Sequence, residues 1–140
     1  AVAGAHGCDR KLVVAGGWRP SLRAGLRFVG EVGGEEKIAL LADASCLWMP
    51  ALWDEPFGLT TIEAMASGTP VLGTHRGALP EVITPASGAM GDTLEELVAL
   101  RPRLAALDPE GVRARVLEAF THRVMAVRYV ELYRDAIGSG

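Results

Sequence analysis

Short apolar runs of strand length recur along this chain, each closed by glycine or proline, with segments of helical period between them. Leu12-Val13-Val14-Ala15 ends at Gly16-Gly17, Leu26 to Val29 forms a second run, and Ser45 to Met49 stops at Pro50. Pro70 to Gly73 and Ser87 to Met90 follow. Continuous rather than alternating apolar character suits strands buried on both faces, as in a parallel sheet. Parallel neighbours need a crossover, and the helical segments supply it. The pattern predicts an α/β fold, an open and mostly parallel sheet with helices on both faces.

The helices carry their own signals. Glu35 to Asp43 has acids in its first turn and an apolar stripe of Ile38, Leu41 and Ala42. A short turn of helix is expected near Pro80 to Ile83. Thr93 to Leu107 reads as helix that Pro102 must kink or split. Asp108-Pro109 is a strong start for the next, which runs to about Phe120. Thr121 caps the last helix, where Val124, Val127, Tyr129, Val130, Leu132 and Tyr133 supply apolar surface. Ala1 to Arg10 reads as the tail of an element whose start is absent, and Gly138-Ser139-Gly140 as a frayed end. With 140 residues and no repeat or linker, the chain amounts to one domain.

The stretch from Trp53 to Val71 is where chemistry concentrates. Pro56 removes a backbone donor, and Gly58 admits conformations closed to other residues. A short helix is expected from near Thr60 to Gly68, a usual helix stop. Thr60, Glu63 and Ser67 share a polar stripe; Ile62, Met65 and Ala66 share an apolar one. Glu55 and Glu63 thus bracket a helix N-terminus with free N–H groups at Gly58, Leu59 and Thr60. Such an end holds anions, and carboxylates one turn away accept bonds from sugar hydroxyls. A ligand carrying both phosphate and sugar would fit. Thr60-Thr61-Ile62-Glu63 equally matches a capping box, in which Glu63 only satisfies backbone donors. Glu55 beside Asp54 equally matches a solvated loop acid. Spacing leaves both pairs of readings open.

Other candidates are weaker. Gly16-Gly17 would let a ligand come close, though a plain turn is the simpler reading. His75 and Arg76 follow a strand at its C-terminal end, where ligands of open α/β sheets bind. Arg76 could grip a phosphate, but an exposed loop arginine is the simpler reading. His6 and His122 lack partners at metal-ligand spacing, Trp48 and Trp53 read as packing residues, and Glu81 as a charge in a first helical turn. Cys8 and Cys46 form no framework or metal site. A net charge of −3 and a pI near 5.6 argue against a nucleic-acid groove. No apolar run approaches a membrane span and no secretory leader is present, so a cytoplasmic location is the default.

The ordered set of segments resembles glycosyltransferase family 4, the group 1 glycosyl transferases of GT-B fold. Glu55 through Glu63 is similar to that family's E-x7-E motif. Glu55-Pro56-Phe57-Gly58-Leu59, Glu63 to Val71, Gly77-Ala78-Leu79-Pro80-Glu81-Val82, Leu12 to Gly16 and Arg27 to Val32 all resemble its C-terminal, donor-binding half in the expected order. The resemblance covers nearly the whole chain and implies a Rossmann-like domain that binds a nucleotide-diphospho-sugar. It implies that Glu55 holds sugar hydroxyls, that the backbone of Phe57, Gly58 and Leu59 lies against sugar and diphosphate, and that Thr60 sits beside the phosphates. Glu63 would accept from the ribose, and Val29, Gly30 and Val32 would line the base. Sugar transfer with retention of configuration is implied, with no metal and no other cofactor.

The family's Gly-Arg…Lys-Gly phosphate segment and its N-terminal acceptor domain have no counterpart in this sequence. The expectation is therefore a C-terminal half that is inactive alone. Its final helix would reach across to the acceptor domain or lie exposed. A sugar-nucleotide 2-epimerase half and a non-catalytic sugar-nucleotide-binding module are the alternatives. The sequence leaves base, sugar, acceptor and any homo-oligomer open.

Overall fold

A computed structural model of the chain describes residues 11–17 and 23–138. The expectations for Ala1 to Arg10 (His6 and Cys8 included), for the loop at Trp18, Arg19 and Pro20, and for Ser139-Gly140 lie outside the described residues. Five strands and six helices are described, in the order β1 (Leu12–Ala15), β2 (Leu26–Gly30), α1 (Gly34–Asp43), β3 (Leu47–Met49), α2 (Leu59–Ala66) and β4 (Val71–Gly73). They continue with α3 (Leu79–Val82), β5 (Gly88–Met90), α4 (Leu94–Leu104), α5 (Pro109–Ala119) and α6 (His122–Gly138).

Every strand pair is parallel, as the apolar runs predict. One feature differs from the expected single sheet. Among the described residues β1 pairs only with β2, and β3-β4-β5 form a separate three-stranded sheet. The three-stranded sheet is the buried one. Its central strand places Val71 and Leu72, both fully buried, into two different clusters. Val71 meets Ala64 and Met65 of α2 and Val112 and Val116 of α5 on one side. Leu72 meets Leu97 and Leu104 of α4 on the other. Successive strand residues face opposite ways, so a continuous apolar strand must be covered twice. Each such side chain contributes about 1.5–3 kcal/mol on burial.

The helices largely obey their sequence signals. Asp108 caps α5, accepting from Glu110 N at 3.3 Å and Gly111 N at 3.1 Å. Thr121 Oγ1 accepts from Val124 N at the start of α6. Helix α2 ends as Gly68 predicts: Gly68 N bonds Met65 O and Thr69 N bonds Ala64 O, both at 2.9 Å, a Schellman closure.

Several expectations are corrected. Pro102 does not split α4, which runs through it to Leu104. The proline removes one donor, that to the Val98 carbonyl, and Val98 is exposed, so water can replace it. In α1 the packed residue is Leu41, while Ile38 and Ala42 are exposed, because this helix meets the rest of the molecule mainly through α2. In α2 the buried stripe is Thr61, Ala64 and Met65, with Ile62 half-buried and Ala66 exposed. α2 is enclosed by β3, β4 and α5 together, which shifts the buried arc by one residue.

Helix α6 buries none of its residues and leaves its apolar surface, Met125, Tyr129, Leu132 and Tyr133 included, exposed. No described helix is long and apolar enough to cross a membrane.

Candidate functional site

The loop from Trp53 to Gly58 leaves the C-terminal end of β3 and delivers the chain to α2. Gly58 is buried with φ +79, a left-handed conformation that no side chain favours. Its amide donates to Glu55 Oε1 at 3.1 Å. The second carboxylate oxygen, Oε2, accepts from the Trp53 indole N–H at 3.1 Å. Glu55 is thus not a solvated loop acid; it is the bracket that folds its own loop. The same bond corrects the expectation of three free donors, since the Gly58 amide is taken. Leu59 and Thr60 are exposed, and as the first residues of the helix their amides have no intrahelical acceptor.

Glu63 does not cap α2. The helix has no side-chain cap bond, and the Glu63 carboxylate turns away to Lys37 of α1, with Oε1 at 2.6 Å from Nζ. The capping-box reading of Thr60 to Glu63 is therefore corrected. That motif occurs at the start of α4, where Thr93 Oγ1 accepts from Glu96 N and Glu96 Oε2 accepts from Thr93 N. The N-cap is Gly58, so the third helical position falls on Thr61; Glu63 lies two residues further into the helix, where α1 brings Lys37 to it.

Phe57 is half exposed and stacks edge-on against Phe120, with centroids 6.4 Å apart. Phe120 is in turn covered by the Arg115 guanidinium at 5.1 Å. The loop after β4 closes the other side. Thr74 Oγ1 donates to Ala51 O at 2.8 Å, and Ala78 N donates to Glu55 O at 2.8 Å. His75 and Arg76 stand exposed between these anchors. His75 N and Nδ1 both meet the Asp92 carboxylate at 3.1 Å. The hydrogen bond from the His75 amide lowers the Asp92 carboxyl, slight desolvation opposes it, and the His75 ring and Arg76 charge add to the lowering, so it lies below its ordinary value.

The remaining candidates form a separate edge. Gly16 N donates to Gly30 O at 2.7 Å, joining the ends of β1 and β2. Val29, Gly30 and Val32 are half-buried there, and Gly16 and Gly17 have open space around them. Helix α1, which follows this edge, is the element that reaches α2. Among the described residues no three His, Cys, Asp or Glu side chains converge as a metal-holding group. A shallow groove of about 370 Å³ lies along α6, lined by Arg123, Val124, Val127, Arg128 and Glu131, away from both glutamates.

Three partners escaped sequence reasoning. Lys37 and Asp92 reach Glu63 and His75 across 26 and 17 residues, and nothing local marks such pairs. Asp92 does follow β5 at its C-terminal end, the position at which sheet ligands gather, and that rule could have found it. Trp53 lies two residues before Glu55 and was legible only as a packing residue.

With this geometry in place the class of protein follows. Residues 9–98 match the family described as Glycosyl transferases group 1, and the chain belongs to that family. It is 38% identical over 113 residues to an MMP alpha-(1->4)-mannosyltransferase of Mycolicibacterium hassiacum, covering 74% of this chain and 27% of that protein. It is 36% identical over 119 residues to a GDP-mannose-dependent alpha-(1-6)-phosphatidylinositol dimannoside mannosyltransferase of Mycobacterium tuberculosis, covering 78% and 30%. Among solved structures, AviGT4, a glycosyltransferase involved in avilamycin A biosynthesis, superposes with a TM-score of 0.73 at 31% identity, covering 95% of this chain and 45% of that one. The chain therefore spans about a third or less of these two mannosyltransferases.

Proposed function

We propose that this chain is the donor-binding part of a retaining glycosyltransferase and takes a nucleotide-diphospho-sugar at the start of α2. The observation that carries this reading is the placement of two open amides, Leu59 and Thr60, between Glu55 and Glu63 on an exposed helix end. Helix N-termini favour anions through their unpaired donors and dipole, which suits a diphosphate. The Glu63 carboxylate has capacity left for ribose hydroxyls, since a carboxylate accepts about four bonds. Glu55 reaches the sugar by exchanging the Trp53 indole for sugar hydroxyls. Stabilisation of the leaving diphosphate is electrostatic and needs no resident metal. The GDP-mannose named for one relative makes guanosine the first base to test.

Transfer requires donor and acceptor held in one orientation, a contribution of roughly 7–11 kcal/mol at its upper end. The chain spans 27% of the length of one mannosyltransferase it resembles, and on this proposal the 140 residues taken alone bind donor weakly and transfer nothing. A thermal-shift panel of GDP, UDP, ADP and GDP-mannose tests this, since a ligand of the native state raises its melting point. One diphosphate should stand out from its nucleoside, and Glu55→Gln should weaken GDP-mannose more than GDP. No shift with any diphosphate, or measurable sugar transfer by the chain alone, contradicts the proposal.

A further inference from the structure

Two acids flank a site read here as anionic-ligand binding, and nothing nearby in sequence offsets them. From Trp53 to Ala66 the chain holds Asp54, Glu55 and Glu63 but no lysine or arginine. A diphosphate brought to Leu59 and Thr60 would meet that negative charge. Among the described residues the cation ion-paired to Glu63 comes from α1. Lys37 lies on the side of α1 that carries half-buried Leu40 and buried Leu41, so its stem is held and its ammonium reaches Glu63 Oε1 at 2.6 Å. The pair joins two helices across 26 residues, with side chains 32% and 38% exposed. It is therefore not a neighbouring-turn pair on one helix face. Among the described residues the Lys37 bond engages only Oε1 and leaves Glu63 Oε2 to solvent.

We propose that Lys37 is a positioning residue for nucleotide binding. It holds the Glu63 carboxylate by one oxygen, lowers the charge that a diphosphate meets, and leaves the other oxygen to accept from the ribose hydroxyls. The proposal rests on the donor-site reading above. Lys37 acts through Glu63, so the larger part of its effect depends on the hydroxyls that Glu63 reads. A cation that met the phosphates directly would act equally whether or not those hydroxyls were present.

Calorimetry with GDP and with 2′,3′-dideoxy-GDP separates these roles on the 140-residue chain. Lys37→Met should weaken GDP about five- to tenfold, less than the loss of a direct charge-assisted contact to the ligand would. It should weaken the dideoxy ligand by clearly less, since only the charge contribution remains there, and Lys37→Arg should restore most of the GDP affinity. Equal losses for both ligands, or no loss for GDP, overturn the proposal. If wild type binds GDP and Glu63→Gln weakens it while Lys37→Met does not, the proposal fails and the donor site stands. If wild type binds none of GDP, UDP and ADP, or binds its diphosphate without regard to Glu63, the donor-site reading falls and the Lys37 role with it.

Discussion

Gly77 lies against the backbone of Glu55 so closely that a Cβ at position 77 would collide with the Glu55 amide and carbonyl. The glycine also has φ +57, in the left-handed region. Its neighbour Ala78 donates to the same carbonyl at 2.8 Å. The loop after β4 is thereby clamped onto the loop after β3, and the position of Glu55 depends on a residue with no side chain.

Gly77→Ala should therefore cost stability and displace Glu55 together. Left-handed backbone costs an alanine about 1–2 kcal/mol, and backbone collision adds to it, for a total of about 2–4 kcal/mol. Urea unfolding would measure this. Gly17→Ala, where a Cβ meets open space, should change stability by less than about 0.5 kcal/mol. Equal effects at the two positions would refute the clamp.

Glu63 and Asp108 should separate binding from capping. Asp108 makes both N-terminal bonds of α5, so Asp108→Ala should lose about 0.5–2 kcal/mol without altering nucleotide affinity. Glu63 makes no cap bond, so Glu63→Gln should melt within about 1 kcal/mol of wild type, the scale of a partly exposed ion pair. Its GDP affinity should fall instead. A variant that loses stability like the Asp108 one, yet binds normally, would restore the capping reading.

Asp92 predicts a direction in acid. Its folded carboxyl titrates below the ordinary value of 3.8, so the bonds it accepts from His75 help the fold above that value. That help is lost as pH falls through the lower folded value. The Asp92 carboxyl carbon should titrate with a midpoint under 3.8, and Asp92→Asn should flatten the fall in melting point from about pH 5 downward. A midpoint at or above 3.8 would remove the His75 contact from solution.

Much of this fold was legible because its signals are local. Asp108-Pro109, Gly58, Gly68 and the apolar runs each act within a few residues, and the structure uses them as expected. Helix faces were less legible. Ile38 has the period of a core residue but is 59% exposed, since burial depends on which elements arrive from elsewhere. The break between β1-β2 and β3-β4-β5 had no sequence mark either, because strand order is a property of the assembled sheet. At the site, Glu55 and Glu63 were found by their motif, but what each touches was not. Glu63 was open to capping on spacing alone until Lys37, 26 residues away, was seen to hold it.

The amide spectrum of the isotopically labelled chain, followed as GDP is added, addresses the donor site itself. Leu59 and Thr60 should move first and furthest, because their N–H groups gain an anionic acceptor. Glu63 and Lys37 should follow, and the same additions to Glu63→Gln should require several-fold more ligand. Shifts confined to the groove at Arg123, Val127 and Arg128 of α6, with Leu59 and Thr60 unmoved at saturation, would contradict nucleotide binding at the start of α2.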